Sequence, residues 1–524
     1  MHEGGSQHLR VLLVTGRLAE PLVRKYAGDV EAEVDVACLP VSVAALITPQ
    51  MVVEELRGAV ARKKYDMIIV PGLMRGSTKP IEKALGVPVF KGSRYACDIP
   101  LVFEKLEELS KEEPLDVIVA RERAMLWREI EGYEEGKEAR VGFTVGRDGV
   151  KGVYVGLDGV VRILAEVVDA PTLPTDRVLS RAEYYLKSGA DMIDIGAVVG
   201  EDNAQRIAEL VYEIRERFKV PVSVDSLNPS EIEAAVEAGA DMVLSLDYGN
   251  IDEVKIPMDV AVVLLPTNVR TGDLPGDPEG RAEKAFRIVE KARRKGFRRI
   301  IADLLLEPPI NPGFTRSLRS YLIFRDLDRE TPLMFGAGNV SEFVDADSVG
   351  INAMLAIIAQ EVGAPLILTT ENSVKTRGSV REVATARRMA AIAKALSSPP
   401  KDLGVSLLRA KSKREFFEAP NVEGVEAVFE RERKEYTPDP LGYFTIWVNH
   451  DTGRIFVLHR GGGGERLFVG ENAEHLGKTI LSEGLVGSLE HAVYLGRELG
   501  KAECCLKLGK SYVQDADVFG GDYE

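Results

Sequence analysis

Three carboxylates in this chain belong to short apolar runs of one kind: Asp194 in ADMIDIG, Asp225 in PVSVDS and Asp247 in DMVLSLDYG. Each run is β-branched and is followed by a helical pattern, so each acid is expected at the carboxyl end of a buried parallel strand. A fourth acid, Asp303 in RRIIADLLLEPP, has apolar residues on both sides. A single acid at a strand end is as often a helix cap or a turn residue as a ligand group. Several converging on one rim are harder to explain that way. Buried carboxylates need donors, and a ligand with several N–H groups along one edge, such as an aminopyrimidinone, supplies them.

Cations are expected near the same rim. Lys375 and Arg377 follow the last apolar run in TTENSVKTRG, and Arg270 lies in the loop after the fifth. At a barrel's phosphate-binding position they would stabilise the charge that grows on a pyrophosphate leaving group. The plainer alternative is that they solvate a loop before a helix. His450, His459, His475 and His491 all fall in the C-terminal region without HExxH or CxxC spacing, so no metal site is expected there.

The elements that must position these groups follow from periodicity. Strand-like runs near 160–169, 191–196, 221–226, 242–248, 260–266, 299–306, 332–338 and 365–370 alternate with helical stretches such as DNAQRIAELVYEIRERF. Eight such units fit a TIM barrel of roughly 250 residues. The fourth-to-fifth connection, YGNIDEVKIPMD, is too short for a full helix, so that unit is expected to be degenerate. The expected organisation is a Rossmann-like α/β domain over 1–120, a connector over 121–150, the barrel over 151–400, a linker over 401–435 and a C-terminal α/β domain over 436–524. In the first domain the loop GLMRGST follows a strand; its glycines could cradle an anion, or it is an ordinary strand-to-helix loop. In the last domain, Asn-His-Asp-Thr-Gly signals a hairpin turn, Gly461 to Gly464 a flexible loop, and LEHAVYLGRELGKAECCLKLG a long helix.

The balance of 67 Lys and Arg against 82 Asp and Glu leaves a net charge of −15. That argues against a general nucleic-acid or anionic-membrane binder. Four cysteines without a paired pattern fit a reducing compartment. The opening residues lack a signal-type apolar region, and no run reaches about 18 apolar residues, so a cytoplasmic protein is expected.

GADMIDIG followed by VPVSVDSLNPSEIEAAVEAGADMVLSL resembles the pterin-binding barrel family, which includes dihydropteroate synthase and the methyltetrahydrofolate:corrinoid methyltransferases. The resemblance covers about residues 150 to 395. It implies that Asp225 and Asp303 bind a pterin, with Asp194, Ser245 and Asp247 beside them. Ser245 stands where that family usually has Asn. The Ser-Arg-Lys run of the synthases is replaced by Gly338-Asn339-Val340-Ser341, similar to the methyltransferases, in which the Asn bonds the pterin. Glu307 and Asn311 stand where a glycine-rich sequence usually follows the sixth-strand acid. The C-terminal region resembles the corrinoid-carrying subunit of tetrahydromethanopterin S-methyltransferase, an archaeal enzyme, and that likeness implies His475 as a corrinoid ligand.

The leading expectation is a synthase-like transferase. It condenses a hydroxymethyl-dihydropterin pyrophosphate with an arylamine in folate or tetrahydromethanopterin biosynthesis, with Mg²⁺, Lys375 and Arg377 serving the pyrophosphate. The alternatives are a corrinoid-linked, pterin-dependent methyltransferase and a non-catalytic pterin-binding protein. A pterin as small-molecule partner and a homodimer are expected, with no nucleic acid or membrane.

Overall fold

The computed structural model describes residues 9–135, 141–147, 149–412, 423–430 and 437–519. The chain divides into two units, Met1–Glu129 with Ala395–Glu430, and Ile130–Lys394 with Arg431–Glu524.

The first unit is built on four parallel strands, Arg10–Gly16, Glu33–Leu39, Met67–Val70 and Val89–Lys91, with Arg10–Gly16 between the second and third. Successive side chains of a strand point to opposite faces. Accordingly Leu12 and Val14 pack with Val52 and Leu56 of helix Pro49–Arg62. Val11 and Leu13 pack instead with Ile99, Val102, Leu115 and Val119. In the glycine-rich loop a Cβ on Gly72 would meet the Ser93 carbonyl carbon at 2.7 Å and the Arg94 nitrogen at 2.8 Å. Gly72 serves close packing of two loops.

In the second unit all eight expected strands are present: Arg162–Val167, Met192–Gly196, Val222–Asp225, Met242–Leu246, Ala261–Leu264, Ile300–Ala302, Met334–Gly336 and Leu366–Thr370. They pair in parallel in chain order, and the eighth pairs with the first. A bridge between Ala302 and Leu333, with the Ala302 N–H donating to the Pro332 carbonyl at 2.9 Å, joins the sixth strand to the seventh. The result is a TIM barrel. Seven strands are followed by a helix among the described residues; the fourth is followed only by turns, as its short connection predicted. Helix starts are conventional: Asn228 and Asp277 cap helices Pro229–Glu237 and Pro278–Lys295, each with Pro at the first turn.

Much of the barrel's inside is apolar, with Leu164, Met192, Met242, Leu244, Ala261, Val263, Ile301, Met334 and Leu366 in a single cluster. Each large side chain buried there contributes roughly 1.5–3 kcal/mol. Val145 and Val155 complete this cluster from a hairpin, Gly142–Val145 paired with Val153–Gly156. The 121–150 connector therefore divides differently from expectation. Its first part continues helix Leu115–Glu135, and its last part helps floor the barrel.

The C-terminal segment forms an antiparallel sheet, Tyr443–Asn449, Arg454–Gly461 and Gly464–Gly470, covered on one face by helices Ala473–Ser482 and Leu489–Leu508. The Gly461 to Gly464 stretch is the turn into a third strand that the sequence pattern did not reveal. No helix among the described residues is long and apolar enough to cross a membrane.

Candidate functional site

Strand period places the acids. Two residues beyond Leu164, Met192 and Ile301 of the apolar cluster stand Glu166, Asp194 and Asp303, on the same inward face and one step nearer the strands' carboxyl ends. Asp225, two residues after Ser223, joins them: Ser223 is in register with Asp194, and Asp194 with Glu166. Carboxylate oxygens of Glu166, Asp194 and Asp225 lie within 4.8 Å of one another. A Cβ on Gly196 would stand 2.5 Å from Glu166 Oε1, so glycine there leaves room for the carboxylate in this orientation.

These carboxylates are poorly supplied with donors. Asp194 is fully buried; its Oδ1 accepts from the Ser223 hydroxyl and its Oδ2 has no hydrogen-bond partner. The Tyr321 hydroxyl and the Leu305 N–H, the latter at 2.7 Å, both donate to Asp303 Oδ1, leaving Oδ2 to a ligand. Burial, more than any neighbour, pushes the group toward its protonated form. The Glu166 carboxyl rises to about 8, with Asp225, Asp169 and Glu342 adding to the effect. Asp225 rises to about 7, with Asp303 adding to it, and Asp194 is held well above the carboxylate range. Asp303 is pushed up to about 6, with Tyr321, Leu305 and Arg281 opposing. Such a group holds shared protons at neutral pH and can both donate to and accept from a ligand.

The remaining expected site residues have other work. Asp247 accepts from the Gly249 N–H at 2.7 Å, the Thr267 hydroxyl at 2.9 Å and the Val269 N–H at 2.5 Å, and so ties two loops together. Ser245 follows a cis peptide after Leu244 and is nearly buried; its carbonyl accepts from Asn250 Nδ2 at 3.1 Å. The Asn339 amide donates to the Leu306 carbonyl at 3.0 Å. Glu307 is buried against Arg281 at 2.9 Å, and Asn311 precedes a cis proline.

The expected phosphate site is not assembled. Lys375 Nζ pairs with Asp345 at 2.9 Å, Arg377 donates to the Gly509 carbonyl of the C-terminal segment at 3.1 Å, and Arg270 pairs with Glu253. Each of these cations is held by a partner from another segment. His475 is exposed in the first turn of helix Ala473–Ser482, whose cap is Asn472. His491 Nδ1 contacts Asp439 at 2.8 Å, and His450 Nε2 contacts the Lys510 carbonyl at 3.0 Å.

Glu166 is the residue that sequence reasoning missed. It interrupts the apolar run of VVRILAEVVDAP just as Asp194 interrupts its own, and that interruption is the signal that could have found it.

These acids stand at the carboxyl ends of the strands, where TIM barrels build their sites. The family described as pterin binding enzyme matches residues 169–340, which include Asp194, Asp225 and Asp303. A family of unknown function (DUF6513) matches residues 9–94, and the PterinBD-DUF4346 family matches 438–515. An uncharacterized protein of Methanocaldococcus jannaschii is 35% identical over 532 residues, covering 98% of this chain and 99% of its own, and the chain belongs to that protein's family. The dihydropteroate synthase of Clostridium beijerinckii is 30% identical over 77 residues, 13% of this chain and 29% of that one. Among solved structures, a dihydropteroate synthase of Stenotrophomonas maltophilia with bound imidazole aligns over 47% of this chain and 95% of its own, at 22% identity and a TM-score of 0.36. One of Coxiella burnetii in complex with pteroic acid aligns over 48% and 99%, at 17% identity and a TM-score of 0.38.

Proposed function

We propose that this chain is a transferase acting on a pterin held edge-on by Asp225 and Asp303. The observation that carries this reading is the buried Asp194 Oδ2, which has no hydrogen-bond partner and lies beside Asp225 in the segment that matches the pterin-binding family. The 2-amino and ring N–H groups of a pterin are the donors such oxygens lack, and each charge-assisted bond is worth roughly 1.5–3 kcal/mol.

The same pole suits group transfer by orientation: with the amino edge held by Asp225 and Asp303, the exocyclic carbon lies at the opposite end of the ring, where the leaving atom departs with the bonding electron pair. Apolar strands around the pole exclude water, and fixed side chains hold the ring in one orientation. The all-oxygen donor set of Glu166, Asp194 and Asp225 also fits Mg²⁺, which would supply charge neutralisation there. The acceptor of the transferred group is an arylamine in the synthase-like form of this reading and a corrinoid in the methyltransferase-like form. Direct titration with 6-hydroxymethylpterin, followed by its fluorescence, tests the reading: saturable binding that Asp303→Asn weakens supports it, and affinity unchanged in that variant removes the pocket from this place.

A further inference from the structure

We infer that two copies of this chain join through strand Gly464–Gly470, whose outer edge pairs antiparallel with the same strand of a second copy about a twofold axis at Leu467.

The C-terminal sheet has two edge strands, and the chain treats them differently. Along Tyr443–Asn449 the Gln514 side chain takes the place of a neighbouring strand: its Oε1 accepts from the Ile446 N–H at 2.9 Å and its Nε2 donates to the Phe444 carbonyl at 3.0 Å. Those two bonds also fix the phase of the whole sheet. The N–H and C=O of one residue face the same side of an antiparallel ladder, so Phe444 and Ile446 face outward while Thr445 and Trp447 face strand Arg454–Gly461. Carried through the register to the third strand, this leaves Arg466 and Phe468 bonded to the middle strand, and Glu465, Leu467 and Val469 facing away from it. No group among the described residues bonds the N–H or C=O of those three.

An open edge is ordinarily blunted by lysine, proline, a bulge or sheer shortness. This one has none of these over its 7 residues. Its two charged side chains are held within the chain, Glu465 by Arg460 at 2.7 Å and Arg466 by Glu483 at 2.6 Å. Leu467 and Val469, on the face away from the helices, are 54% and 40% exposed.

The residue order fits the strand to itself. A twofold at Glu465 or Arg466 sets like charges opposite each other, and one at Phe468 or Val469 leaves an end of the strand unpaired. A twofold at Leu467 pairs the strand from Gly464 to Gly470, with leucine opposite leucine and Glu465 opposite Val469. Leu458, already opposite Leu467, then continues into its copy as one apolar row across the joined sheet. Such self-complementarity is what an isologous contact requires.

Sedimentation velocity of the full-length chain, from about 0.1 to about 100 µM, tests the inference. A reversible dimer with a dissociation constant in roughly the micromolar range is expected, because an edge contact is small. Leu467→Pro removes an N–H that the chain's own hairpin does not use, so the strand is kept and self-association weakens by about 100-fold or more. Hydrogen exchange reads the same edge: the amides of 465, 467 and 469 are expected to be protected in the dimer and to lose protection on dilution. A chain that stays monomeric at the highest concentration overturns the inference. So does a dimer that Leu467→Pro leaves intact, or one whose edge amides exchange as fast as in the monomer. Should Leu467→Pro fail to fold, Leu467→Lys takes its place, setting two ammonium groups against each other at the axis, and a dimer that survives it overturns the inference as well.

Discussion

The two ends of the barrel hold buried acids in opposite circumstances. At the amino ends of the strands, Asp191 and Asp241 occupy the same place in two copies of one short motif, Gly189 to Met192 and Gly239 to Met242, each just ahead of a strand. Asp241 accepts from the Arg147 N–H at 2.7 Å, the Val222 N–H at 3.1 Å and the Arg215 guanidinium at 2.5 Å. Asp191 accepts from the Ile163 N–H at 2.8 Å and pairs with Arg387 and Arg162. Further along the same barrel, at the carboxyl ends of its strands, Asp194 and the acids around it have almost none of this. Burial is similar, and what differs is the donor supply. A buried acid whose donors are all in the chain is a strut, and one whose donors are missing waits for a ligand.

The largest effect that could break this contrast is on stability. Asp241→Asn, which leaves the Arg215 and Arg147 side uncompensated, is expected to cost about 3–5 kcal/mol in chemical denaturation while the folded protein keeps its pterin affinity. The opposite pole is expected to respond the other way. Asp225→Asn and Asp303→Asn should each weaken pterin binding by about 10- to 100-fold, with a thermal midpoint no lower than that of the natural chain. A large drop in midpoint for either would place these acids among the struts.

The pH dependence sharpens the same point. Asp225 has its folded value raised to about 7 from an ordinary 3.8, so between those limits the folded state binds more protons than the unfolded one. Its contribution to stability is therefore largest below pH 4 and is lost as the pH rises through 7. Asp225→Asn should remove that slope, so the variant gains on the natural chain from pH 4 to pH 7, and denaturation curves across that range would show it. The smallest effects belong to the loop cations. Lys375→Ala and Arg377→Ala should each change stability by less than about 1 kcal/mol and leave pterin affinity untouched. A tenfold loss of binding in either would return them to the site.

Much of this is legible in the sequence, and particular residues show why. The eight barrel strands declare themselves because each is a short, β-branched run buried on both faces, bounded by helical periodicity. Asp225 and Asp303 stand out because several acids fall at the ends of such runs, which capping alone explains less well than it explains one. Glu166 is easily passed over, because it lies within its run, with Val167 and Val168 after it, and Arg162 already breaks the same run. The partners of Lys375 and Arg377 are not legible: Asp345 is thirty residues away and the Gly509 carbonyl lies in a different segment, so chain position alone says nothing of which way those side chains turn. The floor of the barrel is hidden for a related reason, since Val145 and Val155 sit in a stretch dominated by Gly and charge.

The pairing of Gly196 with Glu166 bears on how related sequences are to be sorted. A side chain at the end of the second strand would come within 2.5 Å of the Glu166 oxygen, so the carboxylate would have to turn aside, and the direction in which it points depends on the glycine. Chains that carry alanine or anything larger at the glycine position are expected to carry a shorter residue in place of the glutamate or a glutamate turned out of the acid group. On that criterion a reader with two positions in hand could separate barrels with this chain's acid pole from those that share its architecture alone.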